Sequence, residues 1–231
     1  MAETLLEALR LLTDFDHQVV GIVWLSFRVG FSAVMVATAI ALPLGAFVAV
    51  ARFPGRDALT VLLNGLMGLP SVVVGVIVYL VFSRSGPLGS LGILFSPPAM
   101  VIAQTILVVP LMAALTRQIV EDAWRDYAVE LRSLRFSQLQ SVTTLLHDCR
   151  FSLVVAVLAG MGRAMSEVGA VMIVGGNIEG YTRVMTTAIA LETAKGDLPL
   201  SIALGIVLLS VVMLLNSTAY ALRRWAMEKY G

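Results

Sequence analysis

Gly160-Met-Gly-Arg-Ala-Met-Ser-Glu-Val-Gly-Ala-Val-Met-Ile-Val-Gly-Gly-Asn-Ile178 decides how this chain is read. Its residues are apolar or small except for Arg163 and Glu167, which stand one helical turn apart, Ser166 between them, and Asn177 near the end. Charge within a segment of membrane-spanning character is costly and is kept for a purpose. The chain around it has the composition of a bilayer protein. Of its 231 residues 58% are hydrophobic and 13% charged, where soluble domains run at roughly 45–50% apolar and about 25% charged. An all-α integral membrane protein is expected.

Several function classes drop out at once. The single cysteine, Cys149, allows neither an intrachain disulfide nor a cysteine metal cluster. His17 and His147 lie far apart with no carboxylate frame, so no metal site is expected. A net charge of +1 with no basic, aromatic-interleaved stripe gives no nucleic-acid surface. No His, Asp or Ser/His constellation gathers as in an enzyme site. Residues 1–18 carry Glu3, Glu7, Asp14 and Asp16 and lack the basic start and apolar core of a cleavable signal.

Charge-free runs map the spans. Val29–Ala51, Ala58–Ser83 and Leu198–Leu222 each exceed the ~20 residues a helix needs to cross the hydrocarbon core. A third span in chain order is expected near Pro98–Ile119, entered through Ser96-Pro-Pro98. The fourth, about Phe151–Val174, carries Arg163 and Glu167. Continuous rather than alternating apolarity makes these helices and not barrel strands. Pro70, closing Gly65-Leu-Met-Gly-Leu-Pro70, predicts a kink, and Pro43 and Pro110 predict similar bends.

Five spans give the chain two faces. One holds Arg52, Arg56, Arg117, Arg125, Arg132, Arg135, Arg150, Arg223, Arg224 and Lys229; the other holds Arg10, Arg28, Arg84, Arg183 and Lys195. Ten against five predicts that residues 120–150 and the C-terminus are cytoplasmic and the N-terminus outside, in a plasma (inner) membrane. Within residues 1–20, Leu5, Leu6, Leu9 and Leu12 recur at helical spacing over 3–13, as a surface helix or as a lead-in to the first span. In the 120–150 loop, Trp124, Tyr127, Ala128, Leu131 and Leu134 form one stripe. A short amphipathic helix there either docks a soluble partner or packs on the bundle's inner ends.

The Arg52-Phe-Pro-Gly-Arg56 turn, the 120–150 loop and the Gly-Arg-Ala-x-Ser-Glu-Val-Gly stretch resemble the permease subunits of type I ABC importers for oxyanions. That family's cytoplasmic loop reads Glu-Ala-Ala, three residues, Gly, nine residues, Ile-x-Leu-Pro. Aligned through Arg132–Ser137, its Glu-Ala-Ala falls on Val129, Glu130 and Leu131, its Gly on Arg135, and its end on Leu145, Leu146, His147 and Asp148. Most signature residues are replaced here, and Arg135 stands where the family's loop has a glycine, the residue that freely takes positive φ. Gly175-Gly-Asn-Ile178 and Met185-Thr-Thr-Ala-Ile-Ala-Leu-Glu192 resemble the tungstate importer permeases in particular.

The resemblance implies one permease domain over 1–231, working as a homodimer with an ABC ATPase and an external tungstate-binding protein, within membrane lipid. Tyr127, Glu130, Leu131, Arg132, Leu134, Arg135 and Phe136 are its implied ATPase-coupling residues. No Gly-x-x-x-x-Gly-Lys-[Ser/Thr] loop occurs, so ATP and Mg are expected on the ATPase, with no catalytic residue and no cofactor in this chain. Arg163, Ser166, Glu167 and Gly169 are either pathway residues or a bundle lock; Gly162, Ser166, Gly169 and Ile173 also make a small-residue packing face. Gly175, Gly176, Asn177 and Arg183 belong to an outer-mouth loop. A short helix follows, with Tyr181, Val184, Met185, Ala188 and Leu191 on one stripe and Lys195-Gly196 at its end. It either covers the mouth or closes the fold. Molybdate or sulfate import, and a passive anion channel, are the alternatives.

Overall fold

The charge-free runs become helices because a backbone in lipid must satisfy its own hydrogen bonds. The structure, a computed structural model, describes residues 2–14 and 16–230, with the backbone alone at 2, 3, 226, 227 and 230. Met1 and Phe15 of the N-terminal segment lie outside the described residues. The helices are α1 (Ala2–Thr13), α2 (His17–Val50), α3 (Arg56–Leu66), α4 (Ser71–Phe82), α5 (Pro97–Ser133), α6 (Gln138–Asp148), α7 (Arg150–Met165), α8 (Gly169–Gly175), α9 (Met185–Lys195) and α10 (Leu198–Tyr230), with one 3₁₀ turn at Gly89–Leu91. No strand occurs among the described residues.

Three helices are long and apolar enough to cross a bilayer alone: α2, α5 and α10. Counting each bent pair, α3 with α4 and α6 with α7, as one crossing gives five. The second span is therefore not one kinked helix over Ala58–Ser83. It breaks at residues 67–70, and its halves stand 101° apart. Pro70 has no N–H to donate and disfavours helical geometry at Leu69. Pro43 and Pro110, by contrast, stay inside continuous helices.

Two further boundaries differ from expectation. The third span does not end near Ile119; α5 runs on for 37 residues to Ser133, taking the amphipathic stripe with it. The fourth span stops at Met165, and α8 begins only at Gly169. The sequence carries no proline at either place, so periodicity alone marked neither.

Packing divides the chain into two compact units. The first comprises Met1–Ala33, Pro70–Gln104 and Gly162–Leu214, and the second Val34–Leu69, Thr105–Met161 and Leu215–Gly231. Val29, Met100, Val171 and Val184 form a buried cluster in the first. There α4 packs on α8 through small residues: a Cβ on Gly75 would lie 2.9 Å from Ala170 Cα, and one on Gly169 2.8 Å from Ser71 Oγ. The predicted small-residue face thus serves, at Gly169 and Ala170, to bring two helices of one unit together. Ile173 joins them, its Cβ 3.2 Å from a Cβ placed on Gly75, whereas Gly162 has open space beside it and Ser166 is exposed.

The second unit has a core of Ala46, Ala49, Val50, Val120, Leu131, Val142 and Leu145. Arg56 ties its elements together. Its Nε donates to Val48 O at 2.8 Å and its Nη2 to Ala49 O at 3.3 Å, satisfying carbonyls at the end of α2. The same Nη2 meets Glu121 Oε1 at 3.2 Å, and Arg117 donates to the other oxygen of that carboxylate.

Candidate functional site

Two regions carry the sequence-predicted residues, one in each unit. In the second, the end of α5 turns sharply into α6. Arg135 N donates to Arg132 O and Phe136 N to Leu131 O, both at 3.0 Å, the paired bonds of a Schellman stop. Such a stop needs a left-handed residue, and Arg135 supplies it with φ +56°. Arg135 thus takes, as a non-glycine residue, the left-handed conformation that glycine adopts freely. Ser137 starts α6 at once: its Oγ accepts from Gln140 N at 3.2 Å, and Gln140 Oε1 accepts from Ser137 N at 2.8 Å.

The stripe expected on one docking helix is split. Leu131 is 8% exposed and belongs to the unit's core, with Trp124 packed against that core. Arg132 lies over the Trp124 ring at 5.5 Å. Tyr127, Leu134 and Phe136 are exposed, as are Val129 and Leu139, which the stripe did not include. Residues 132–140 form one exposed run in which Leu134, Phe136 and Leu139 stand among polar side chains. That is a surface with the character of a protein-docking site.

In the first unit, Arg163 and Glu167 do pair, Nη2 to Oε2 at 3.7 Å, although the helix has ended between them. Their exposures differ: 38% for the arginine side chain and 5% for the glutamate. Glu167 is tied down on three sides. Its Oε1 accepts from Ala170 N at 3.3 Å, and its backbone oxygen accepts from Thr186 Oγ1 at 2.7 Å. Ser166 Oγ turns back to Arg163 O at 3.1 Å. Gln104 Nε2 donates to Ala164 O at 3.1 Å, and Ser26 Oγ accepts from Met185 N at 2.8 Å.

Ser26, Gln104, Glu167 and Thr186 enclose a void of about 10 Å³. That is room for one water and far too little for a tetrahedral oxyanion. Glu167 thus bonds to groups of α7, α8 and α9, while the Arg163 side chain stays 38% exposed. Sequence reasoning missed Gln104 and Thr186. The available signal for Gln104 was a lone amide in an otherwise apolar stretch.

The loop of Gly175, Gly176, Asn177 and Arg183 folds inward. Gly176 (φ +71°) and Asn177 (φ +50°) are left-handed, and a Cβ on Gly176 would lie 2.8 Å from Phe95 Cδ1. Thr182 Oγ1 donates to Gly175 O at 2.6 Å and accepts from Ile178 N at 2.9 Å, while Asn177 Nδ2 donates to Thr187 O at 3.3 Å. Arg183 is buried. Its Nη1 meets Glu192 Oε1 at 3.4 Å and Glu179 Oε2 at 3.6 Å, and Lys195 Nζ reaches Glu192 Oε1 at 3.0 Å. The expected helix is α9, ended by Gly196 at φ +86°. Met185, Thr186, Thr187, Ala188 and Glu192 on it are buried, so it closes this unit's core. Glu192, the centre of that cluster, was not singled out in the sequence.

No family model matches the chain. It is 40% identical over 96% of its length to a tungstate uptake system permease protein of Peptoclostridium acidaminophilum, covering 98% of that protein. It is also 40% identical to a probable anion ABC transporter permease protein of Haloferax volcanii, over 86% of this chain and 88% of that one. The chain belongs to the anion ABC transporter permeases. A sulfate transport system permease protein of Escherichia coli is more distant, 30% identical over 72% of this permease and 60% of its own length. In this permease the stretch Gly162–Gly169 runs from the end of α7 across the break to the start of α8, with its buried glutamate and part-exposed arginine.

Proposed function

We propose that this chain is the membrane-spanning subunit of an ATP-driven tungstate importer, working as a homodimer. The observation that carries the reading is 40% identity across 96% of the chain to a tungstate uptake permease, well above the 30% over 72% found with a sulfate permease. A separate ATPase, which binds the ATP and Mg, docks on the exposed run of residues 132–140 with Tyr127. An external binding protein delivers the ion and holds the selectivity, because a conducting path must bind its cargo weakly. Arg163 lines the path, where the exposed part of its guanidinium meets the dianion; Glu167 is buried on the far side of that pair. The chain runs with its N-terminus outside and its C-terminus in the cytoplasm. That orientation is supported by the division of charge: all ten basic residues of the richer face lie in the second unit and all five of the other in the first.

The test is uptake by vesicles holding the permease with its ATPase and binding protein, paired with cellular metal content after deletion of the gene. Tungstate uptake should require ATP, and deletion should lower tungsten. ATP-independent flux would mark a passive channel. Unchanged tungsten with lowered molybdenum, or sulfate uptake alone, would assign another oxyanion.

A further inference from the structure

One surface of the second unit shares no residue with the proposed docking run of residues 132–140 or with Arg163. An apolar groove of about 510 Å³ runs between α2 and α7, walled by Ala39, Leu42 and Pro43 on one side and Leu153, Val154 and Val157 on the other. Arg150 stands at its end and is the one charged residue lining it. From Arg150 to Val157 the groove follows α7 for roughly 10 Å, most of the ~15 Å depth of a single leaflet.

The mouth is basic and aromatic. Arg150 lies over the Phe151 ring at 4.7 Å, Phe151 meets Trp225 edge-on at 5.2 Å, and Lys229 lies over Trp225 at 5.1 Å. Arg223 and Arg224 adjoin Trp225 in sequence. The acids beside these residues in sequence are Glu228, held by Arg224 at 2.8 Å, and Asp148, beside His147 at 3.7 Å. Arg150, Arg223, Arg224 and Lys229 thus outnumber them by four to two. Aromatic rings with basic side chains are the furniture of the headgroup layer.

We propose that this groove is a binding site for an anionic phospholipid, with one acyl chain between α2 and α7 and the headgroup phosphate on Arg150. The charge argues for this occupant over a second copy of the chain, whose own basic mouth would be repelled. It argues equally against a zwitterionic lipid, which brings no net charge to the cluster. The site goes beyond transport itself, and the proposal stands whichever oxyanion the permease carries.

Bromine on a lipid chain quenches nearby tryptophan, and Trp225 stands at the mouth. Full-length protein with Trp24→Phe and Trp124→Phe, reconstituted in phosphatidylcholine vesicles, leaves Trp225 as the reporter. Brominated phosphatidylglycerol should quench it with an apparent affinity about fivefold above that of brominated phosphatidylcholine, the contribution of one basic side chain near a headgroup. Arg150→Gln should erase that preference, and Ala39→Phe, which fills an exposed part of the groove, should weaken quenching by both lipids. Equal quenching of the parent by the two lipids would overturn the proposal. So would a preference that survives both substitutions, or a Trp225 shielded from both lipids by a cross-linkable second copy.

Discussion

Arg135 shows how a backbone requirement outlasts the residue that normally meets it. A left-handed non-glycine residue costs about 1–2 kcal/mol, and the Schellman bonds at Leu131 and Arg132 hold it there. Glycine would relieve that strain while adding roughly 0.5–1 kcal/mol of unfolded-state entropy. Arg135→Gly should therefore stabilise the protein by about 0.5–1 kcal/mol in detergent unfolding, and a destabilised variant would show that the arginine side chain itself is needed. Arg163 and Glu167 should separate in the same way. Glu167→Ala strips the partners of Ala170 N and Arg163, at a cost of about 2–3 kcal/mol. Arg163→Lys keeps a cation beside buried Glu167 and should leave the melting temperature within a few degrees, yet lower uptake because the guanidinium's planar fork is lost. Unchanged uptake in Arg163→Lys would remove the guanidinium from the path. The sequence showed this pair plainly, but not that one member is buried and the other half-free, because periodicity carries no information about what packs opposite.

At the scale of elements, the docking stripe is where sequence and structure diverge most. Spacing placed Leu131 beside Tyr127 and Leu134 on one face, as helical geometry requires. Continuation of α5 to Ser133 turns Leu131 into the core of the second unit, and the left-handed stop at Arg135 swings Phe136 and Leu139 into the exposed run. Leu131→Asp buries an uncompensated charge and should unfold the unit, costing at least about 3 kcal/mol. Leu134→Asp meets solvent in the isolated permease. It should keep the fold, shown by an unchanged melting profile, yet lose ATPase-coupled uptake. Full uptake by Leu134→Asp would move the docking site elsewhere. Other elements were legible as they stand: the Lys195-Gly196 end of α9 and the break before Pro70 both follow from residues with only one comfortable backbone choice. The α7–α8 break was not legible, since Ser166-Glu167-Val168 contains no helix breaker and owes its geometry to the bonds on Glu167.

For the whole molecule, orientation is the property most open to a direct check. In a Cys149→Ser background, an impermeant maleimide applied to intact cells should label Tyr181→Cys and spare Leu139→Cys. Inverted vesicles should give the reverse, and the opposite pattern would turn the chain over. The choice of sites follows from exposure: Tyr181 and Leu139 are 51% and 73% accessible.

The sequence by itself determined that this is a helical membrane protein, where its apolar runs lie, how its charges fall between those runs, and, through its motifs, to which permeases it is similar. These are properties of local composition, and the bilayer enforces them segment by segment. The tertiary structure alone decided which residues of an amphipathic stripe face inward, that Glu167 and Arg183 are buried in polar clusters, and that α4 and α8 meet on glycines. Each depends on groups distant along the chain but close in space, where the cost of an unsatisfied polar atom, or the lack of room for a Cβ, fixes the answer.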